Sequence, residues 1–282
     1  METVTFLGTG LLGAGFVEGM LARGTHAVRV WNRTRAKAEP LAALGATVCD
    51  TPAEAVRGAA RVHLVLLDDA TVDATIEAFK PELQAGTILI DHTTNLPALV
   101  AARAARLEAE GFAYLSAPVF MNPDAARGAT GLMMVAGSDE RFTRLQPLLA
   151  SMTGDLWYVG ERTDLAASYK LFGNALLLSM AGALADVFHL ADALHVEREN
   201  AWMLFSRFKA ENILPVRARK ILNEDYTATF ELQVARKDAR LMLESAGDEP
   251  VPVLSAVAAR MDALIAKGYG ADDLAALARR GV

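Results

Sequence analysis

An open, mostly parallel α/β sheet followed by an all-α region is the fold class that the sequence predicts, on three observations. Apolar strands and helical stretches alternate from Thr3 to Val159. A glycine fingerprint lies between the first strand and the first helix. After Gly160 the strand signals stop, and the later segments have helical spacing. Such alternation places parallel strands in one sheet with helices on both faces. The switch divides the chain into residues 1–160, a nucleotide-binding domain, and residues 161–282, an all-α domain for substrate and oligomerisation.

The opening stretch is the most informative. Val4 and Phe6 mark a strand that runs into Gly8-Thr9-Gly10-Leu11-Leu12-Gly13, and a helix then carries Leu12, Phe16, Met20 and Leu21 inward. A second strand, Ala27 to Trp31, closes the unit. Strand before and helix after is the setting that the dinucleotide fingerprint of a Rossmann doubly wound fold requires. Gly8 permits the tight turn, Gly10 lets the backbone approach a pyrophosphate, and Gly13 lets helix and strand pack closely. The phosphates would sit on the unpaired N–H groups at the start of the helix, near Leu11 and Leu12. A loop whose glycines only allow a sharp turn is the alternative.

The elements that follow keep the alternation. Thr34 to Leu44 reads as a helix stopped by Gly45, Thr47 to Cys49 as a short strand, and Thr51-Pro52-Ala53-Glu54 as a helix start. Val62 to Leu67 is a near-continuous apolar run, the mark of a parallel strand buried on both faces; Leu67, at its end, is counted with the cofactor-facing residues. Helix 70–79, strand 87–90, helix 97–109, strand 112–115, a turn-rich segment, strand 132–135, helix 140–149 and strand 156–159 complete the alternation. From Asp164 to Leu194 there is no proline and no turn cluster. A helix of that length would run roughly 45 Å and bridge two domains or line a subunit interface. Shorter helices are expected at 198–210, 215–222, 232–245 and 251–267, with a last one from Ala271.

Bulk properties narrow the function classes. The chain of 282 residues is 52% apolar and 22% charged, which suits a packed core and excludes disorder. With a net charge of -6 and no basic run, nucleic acid and anionic membranes are not expected partners. Cys49 is the only cysteine, so no disulfide can form within the chain. No leader is expected before the first strand, and no uncharged apolar run reaches the ~18 residues of a membrane span. A soluble, cytoplasmic protein is expected. The five histidines show no metal-ligand spacing, so no metal is expected. His92 reads as packed or solvent-facing, and Cys49 as a small buried thiol rather than a nucleophile.

The end of the second strand bears on the cofactor. An NAD-binding fold has a carboxylate there for the ribose 2′-hydroxyl. This chain has Asn32, nineteen residues after Gly13, followed by Arg33, Thr34 and Arg35. A guanidinium fork plus a hydroxyl suits a 2′-phosphate, which points to NADP(H) over NAD. Ordinary solvated arginines are the alternative.

Four motifs in order then carry a resemblance: the opening GTGLLGAGFVEGMLARGTHAVRVWNRT; Asp91-His92-Thr93-Thr94 after a strand; GERTDLAASYKLFGN, from Gly160 to Asn174; and Phe230-x6-Lys237-Asp238. Together they resemble the β-hydroxyacid dehydrogenase family, which includes 3-hydroxyisobutyrate dehydrogenases and glyoxylate/succinic semialdehyde reductases. The resemblance implies a cofactor contact at Thr94, a general acid at Lys170, and an Asn174 that orients substrate and holds the lysine head. It also implies a cofactor-contacting Lys237 with Asp238 as its partner, and a substrate side that includes Phe230. The residues make sense without the name. Lys170 and Asn174 are four apart and share a helix face, and a cation on an apolar face is costly unless paired or used. A snorkelling Lys170 and an exposed Lys237-Asp238 pair are the plain alternatives.

One motif is broken. Where the family has A-P-V-S-G-G, this chain reads Ala117-Pro118-Val119-Phe120-Met121-Asn122. Two bulky apolar side chains replace an anion nest, so the pocket is expected to be larger or less anionic. The expected function is NADPH-dependent hydride transfer to the carbonyl of a small aldehyde or keto acid. An imine reductase-like enzyme with an apolar pocket and a non-catalytic NADP-binding scaffold are the alternatives. A homodimer or homotetramer is expected from the length of the long helix.

Overall fold

The structure, a computed structural model, describes residues 2–281. The chain divides into two compact units, Met1–Asn174 and Ala175–Val282.

The first unit begins β1 (Thr3–Leu7), α1 (Leu11–Arg23), β2 (Ala27–Trp31), α2 (Glu39–Ala42), β3 (Thr47–Val48), α3 (Pro52–Val56), β4 (Arg61–Leu64) and α4 (Asp69–Phe79). It continues β5 (Ile88–Asp91), α5 (Pro97–Ala109), β6 (Ala113–Ser116), β7 (Val119–Phe120), α6 (Pro123–Arg127), β8 (Leu132–Ala136), α7 (Asp139–Ala150) and β9 (Asp155–Gly160). The strands form one sheet in the order β3-β2-β1-β4-β5-β6-β8-β7, with β9 beside β8. Pairing is parallel except where β8 runs against β6 and β7. This is the predicted doubly wound sheet. Strand order reverses between β1 and β4, where ligands of such sheets bind beyond the carboxyl ends of the strands.

Alternate strand residues feed two cores. Phe6 and Ile90 join one with Phe16 and Met20 of α1, while Leu7, Leu64 and Leu89 join the other with Ile76 of α4 and Leu107 of α5. Burial on both faces accounts for the unbroken apolar run at β4. That strand is shorter than expected, because Val65 to Leu67 leave the sheet as the chain turns toward α4. The expected helix from Thr34 to Leu44 is also broken. A 3-10 turn at Arg35–Lys37 precedes the short α2, whose start contains Pro40; proline supplies no N–H and disfavours helical geometry in the residue before it. Within the turn-rich segment the structure adds β7 and α6. Gly15 and Gly19 let α6 dock directly on α1, since a Cβ at either would run into the backbone carbonyls of Pro123 and Arg127.

A buried ion and hydrogen-bond network fixes the loops beyond β4 and β5. Arg103 of α5, 2% exposed, donates to Asp73 at 2.8 Å and to Asp69 at 2.9 Å. Asp69 in turn accepts from the Leu96 amide at 2.9 Å. Asp91, at the end of β5, accepts from the Thr93 amide, the Asn95 side chain and the Tyr114 hydroxyl. Burial pushes its carboxyl upward, opposed by the Thr93 hydrogen bonds and by Arg103, 3.6 Å away.

A long helix, α8 (Leu165–Ala193), starts in the first unit and runs into the second. At 29 residues it spans about 43 Å. It is long and apolar enough to cross a membrane by length and composition alone, with a mean hydropathy of 1.6 and 6% of that window buried. Counting only uncharged runs misses this, because Lys170 and Asp186 interrupt the stretch. Then follow α9 (Arg198–Arg207), α10 (Ile213–Leu222), α11 (Leu232–Ala246) and α12 (Pro252–Ala266). The expected last helix is a 3-10 turn, Leu274–Ala278. Leu232, Ala239, Met261 and Leu264 form the core between α11 and α12.

One polar pair lies inside the first core. His92 Nδ1 is 2.7 Å from the Ala117 carbonyl, and its Nε2 is 2.8 Å from His63 Nδ1. A carbonyl can only accept, so His92 carries its proton on Nδ1 and His63 donates to His92 Nε2. His63 Nε2 is left as a buried acceptor without a partner. Burial favours the uncharged form of both rings, and this assignment is the one for neutral rings. Burial lowers His63 well below the usual histidine value, and His92 from 6.5 to about 4. In the unfolded chain both protonate near the ordinary value, so folding stability is full above that value and is lost as pH falls through it toward the folded one. For His92 alone the loss by pH 5 should be about 2 kcal/mol. Urea midpoints at pH 7 and pH 5 test this: the midpoint should fall, and should fall less in a His63→Phe/His92→Leu double variant. Equal midpoints for the natural chain would refute the assignment.

Candidate functional site

The glycine turn is shaped by backbone packed on backbone. Gly8 has φ +102°, and a Cβ there would overlap the Val65 carbonyl; a Cβ on Gly13 would overlap the carbonyl of Gly8. Neither position tolerates a side chain. Gly10 differs, because a Cβ there would meet nothing within 4 Å. The space it leaves open lies at the start of α1, which has no side-chain cap and no acid in its first turn. The Thr9 hydroxyl, buried in the turn, has no partner. Open space, uncapped N–H groups and an orphaned hydroxyl together fit the pyrophosphate of a dinucleotide. Leu11 and Leu67 are large apolar side chains left 82% and 77% exposed beside this turn.

Asn32, at the end of β2, is engaged on both sides. Its Oδ1 accepts from the Thr9 amide at 3.0 Å and its Nδ2 donates to the Thr34 carbonyl at 2.9 Å. It thus braces the turn to β2. Arg35 is tied to Glu39 and Asp50. Arg33 is exposed and has no ion pair among the described residues, and its charge acts on Asp68 at the start of α4. The Thr34 hydroxyl caps nothing. The pair left open toward a ligand is Arg33 and Thr34.

Thr94 is exposed on the loop that the Asp91 network holds. Next to it the Thr93 hydroxyl accepts from the Leu66 amide at 3.0 Å, joining this loop to the one bearing Leu67. Asn95 is 4% exposed, and its Oδ1 has no partner. Sequence reasoning missed Thr9, Asn95 and Arg103. Only Asn95, two residues before the helix-starting Pro97, had a local signal.

Lys170 lies on α8, and its Nζ donates to the Val119 carbonyl at 2.8 Å. The same ammonium stands 3.9 Å from the centre of the Phe120 ring. Burial lowers its pKa from the usual lysine value, and among the described residues no carboxylate lies within 4 Å of it. The expectation that Asn174 holds the lysine head is corrected: no hydrogen bond joins them, and the β7 carbonyl and ring do so instead. Asn122 also has a structural task, since its Oδ1 caps α6 by accepting from the Ala125 amide at 2.7 Å. Met121 is half-buried and packs against the core around α1.

The remaining expected residues belong to the second unit. Phe230 precedes α11 and packs against its core. Asp273, fully buried, accepts from the Thr229 amide and hydroxyl and from the Phe230 amide, so it fixes this lead-in. Lys237 is exposed on α11 and pairs with Asp238 at 2.6 Å. No metal-binding cluster occurs among the described residues.

Comparison with known proteins places these features. The family profile described as the NAD binding domain of 6-phosphogluconate dehydrogenase matches residues 3–160, and that described as NAD-binding of NADP-dependent 3-hydroxyisobutyrate dehydrogenase matches residues 166–280. The oxidoreductase YfjR of Bacillus subtilis is 29% identical, over 97% of this chain and 98% of its own. Mitochondrial 3-hydroxyisobutyrate dehydrogenase of Drosophila melanogaster is 25% identical, over 96% of this chain and 87% of its own. A reductive aminase from Aspergillus terreus, solved with NADPH4, cyclohexanone and allyl amine, superposes with a TM-score of 0.87 at 25% identity, covering 98% of each chain. With both profiles matched in order along nearly the whole chain, the protein belongs to the β-hydroxyacid dehydrogenase family of NAD(P)-dependent oxidoreductases.

Proposed function

We propose that the protein is an NADPH-dependent reductase that transfers hydride to the carbonyl carbon of a small aldehyde or keto acid, with Lys170 as general acid. The observation that carries this is the half-buried Lys170 ammonium, which has no counter-ion and is held by a carbonyl and a ring face. A bound dihydronicotinamide supplies the hydride. As the carbonyl oxygen gains charge, Lys170 stabilises it and passes it a proton from Nζ, then takes one back from water. Burial favours the neutral amine and so makes the ammonium a readier acid than a solvated lysine. Asn174, one turn on along α8, presents a free amide toward substrate. The family motifs imply a cofactor contact for Thr94 and, separately, for Lys237. Arg33 and Thr34 favour a 2′-phosphate, because neither side chain makes a hydrogen bond or ion pair among the described residues and no acid stands at the end of β2.

Reduction of an imine is the second reading. It is favoured by the apolar Phe120 and Met121 in place of an anion nest, and by the likeness to a reductive aminase. NADPH oxidation with aldehydes, keto acids and cyclic imines in turn separates the two; tight NADPH binding with silence on all of them would indicate a scaffold instead.

Lys170→Ala should cut kcat at least about a hundredfold, with little change in NADPH affinity. Near-normal turnover would sink the assignment. Arg33→Ala should raise the KM for NADPH about tenfold or more, the worth of a charged hydrogen bond to phosphate, and leave that for NADH unchanged; equal effects on both would rule out a 2′-phosphate contact. The exposed apolar face of α8, with Leu177, Leu178 and Met180, is proposed to be covered by a second copy in a homodimer or homotetramer. Sedimentation showing a 30.1 kDa monomer at micromolar concentration would contradict this.

A further inference from the structure

Phe120 stands where the related motif carries serine, and it does more than fill space. The Lys170 ammonium lies 3.9 Å from its ring centre, well within the roughly 6 Å over which a ring face attracts a cation. The ring cannot easily move aside. Its far edge sits in a notch on α8 made by Gly173, where a Cβ would overlap Cζ and crowd Cε1 and Cε2. Gly173 lies three residues beyond Lys170, on the same face of the helix. The ring also packs into a small cluster with Met134, Ala136 and Ala166.

The surroundings are otherwise uncharged. The ring packs with Val159 of β9 and with Leu165 and Tyr169 of α8, and burial alone, with no neighbouring charge, acts on the Lys170 ammonium. An ammonium taken out of water needs compensation. A carboxylate would supply it, but would also draw Nζ onto itself and compete for the proton. A ring face and a carbonyl cannot accept the proton at working pH, and they leave an N–H of Nζ unspent.

We propose that Phe120 is a positioning residue for the general acid: wedged in the Gly173 notch, its ring face keeps the Lys170 ammonium charged and aimed without a counter-ion. This rests on Lys170 being the acid. Two changes test it while keeping the fold: site-specific replacement of Phe120 by 3,5-difluorophenylalanine, which preserves ring shape and withdraws π density, and Gly173→Ala, which displaces the ring and leaves Phe120 in the chain. Lys170 is titrated directly by NMR of ε-13C-lysine protein, its signal assigned by its loss in Lys170→Arg, and the basic limb of kcat is recorded alongside. Both should move down by about half a pH unit or more in each variant, with KM less affected than kcat. An unmoved Lys170 titration in the difluoro protein would overturn the proposal and leave Phe120 a spacer. Retained turnover in Lys170→Ala strikes the general acid instead, and the NMR titration then still decides whether the ring holds the ammonium.

Discussion

The Val65 carbonyl resting against Gly8, with Gly13 resting on the carbonyl of Gly8, is the contact on which the first unit depends. Backbone meets backbone there with no side chain between, so the ends of β1 and β4 and the start of α1 are held in one place. Everything aimed at a ligand is referred to that point. Asn32 ties the end of β2 to it through the Thr9 amide, and the Thr93 hydroxyl ties the loop after β5 to the chain leaving β4. Such a junction marks the switch point of the sheet, the place where this fold binds nucleotides.

Two cations near that end of the sheet, one buried and one half-buried, are treated in opposite ways. Arg103 is surrounded by the carboxylates of Asp69, Asp73 and Asp91, and its Nε and Nη2 are spent on keeping the loops of Leu96 and Thr94 in position. Lys170 has no carboxylate and is held by weaker, neutral partners. The first arrangement maximises order, at the cost of any chemistry the charge could do. The second leaves the proton transferable. Burial of a charge is therefore a poor guide to catalysis by itself; what separates these two residues is the chemical kind of their partners.

Much of this was legible in the sequence. The fingerprint glycines, the alternation of strands and helices and the long helix follow from periodicity and from the two residues that local geometry restricts most, glycine and proline. The family motifs led to Lys170, Asn174 and Thr94. What could not be read was partnership across the fold. That Asn32 braces the turn, that Asn122 caps α6 and that Phe120 rather than Asn174 meets the lysine all depend on contacts between residues about twenty to fifty apart, or on a hydrogen bond that several conformations of the same four residues would forgo. Helix 34–44 failed for a local reason, since Pro40 outweighed an apolar pattern compatible with helix.

The docking of α6 on α1 through Gly15 and Gly19 sets a rule for redesign. Any side chain added at those glycines meets the backbone of Pro123 or Arg127, and backbone, unlike a rotamer, has nowhere to go. The segment carrying Phe120, Met121 and Asn122 is thus moored at its far end to the cofactor helix. Its side chains can be exchanged, but its length cannot be changed cheaply. A loop insertion there would have to lift α6 off α1 and would be felt first as weaker nucleotide binding.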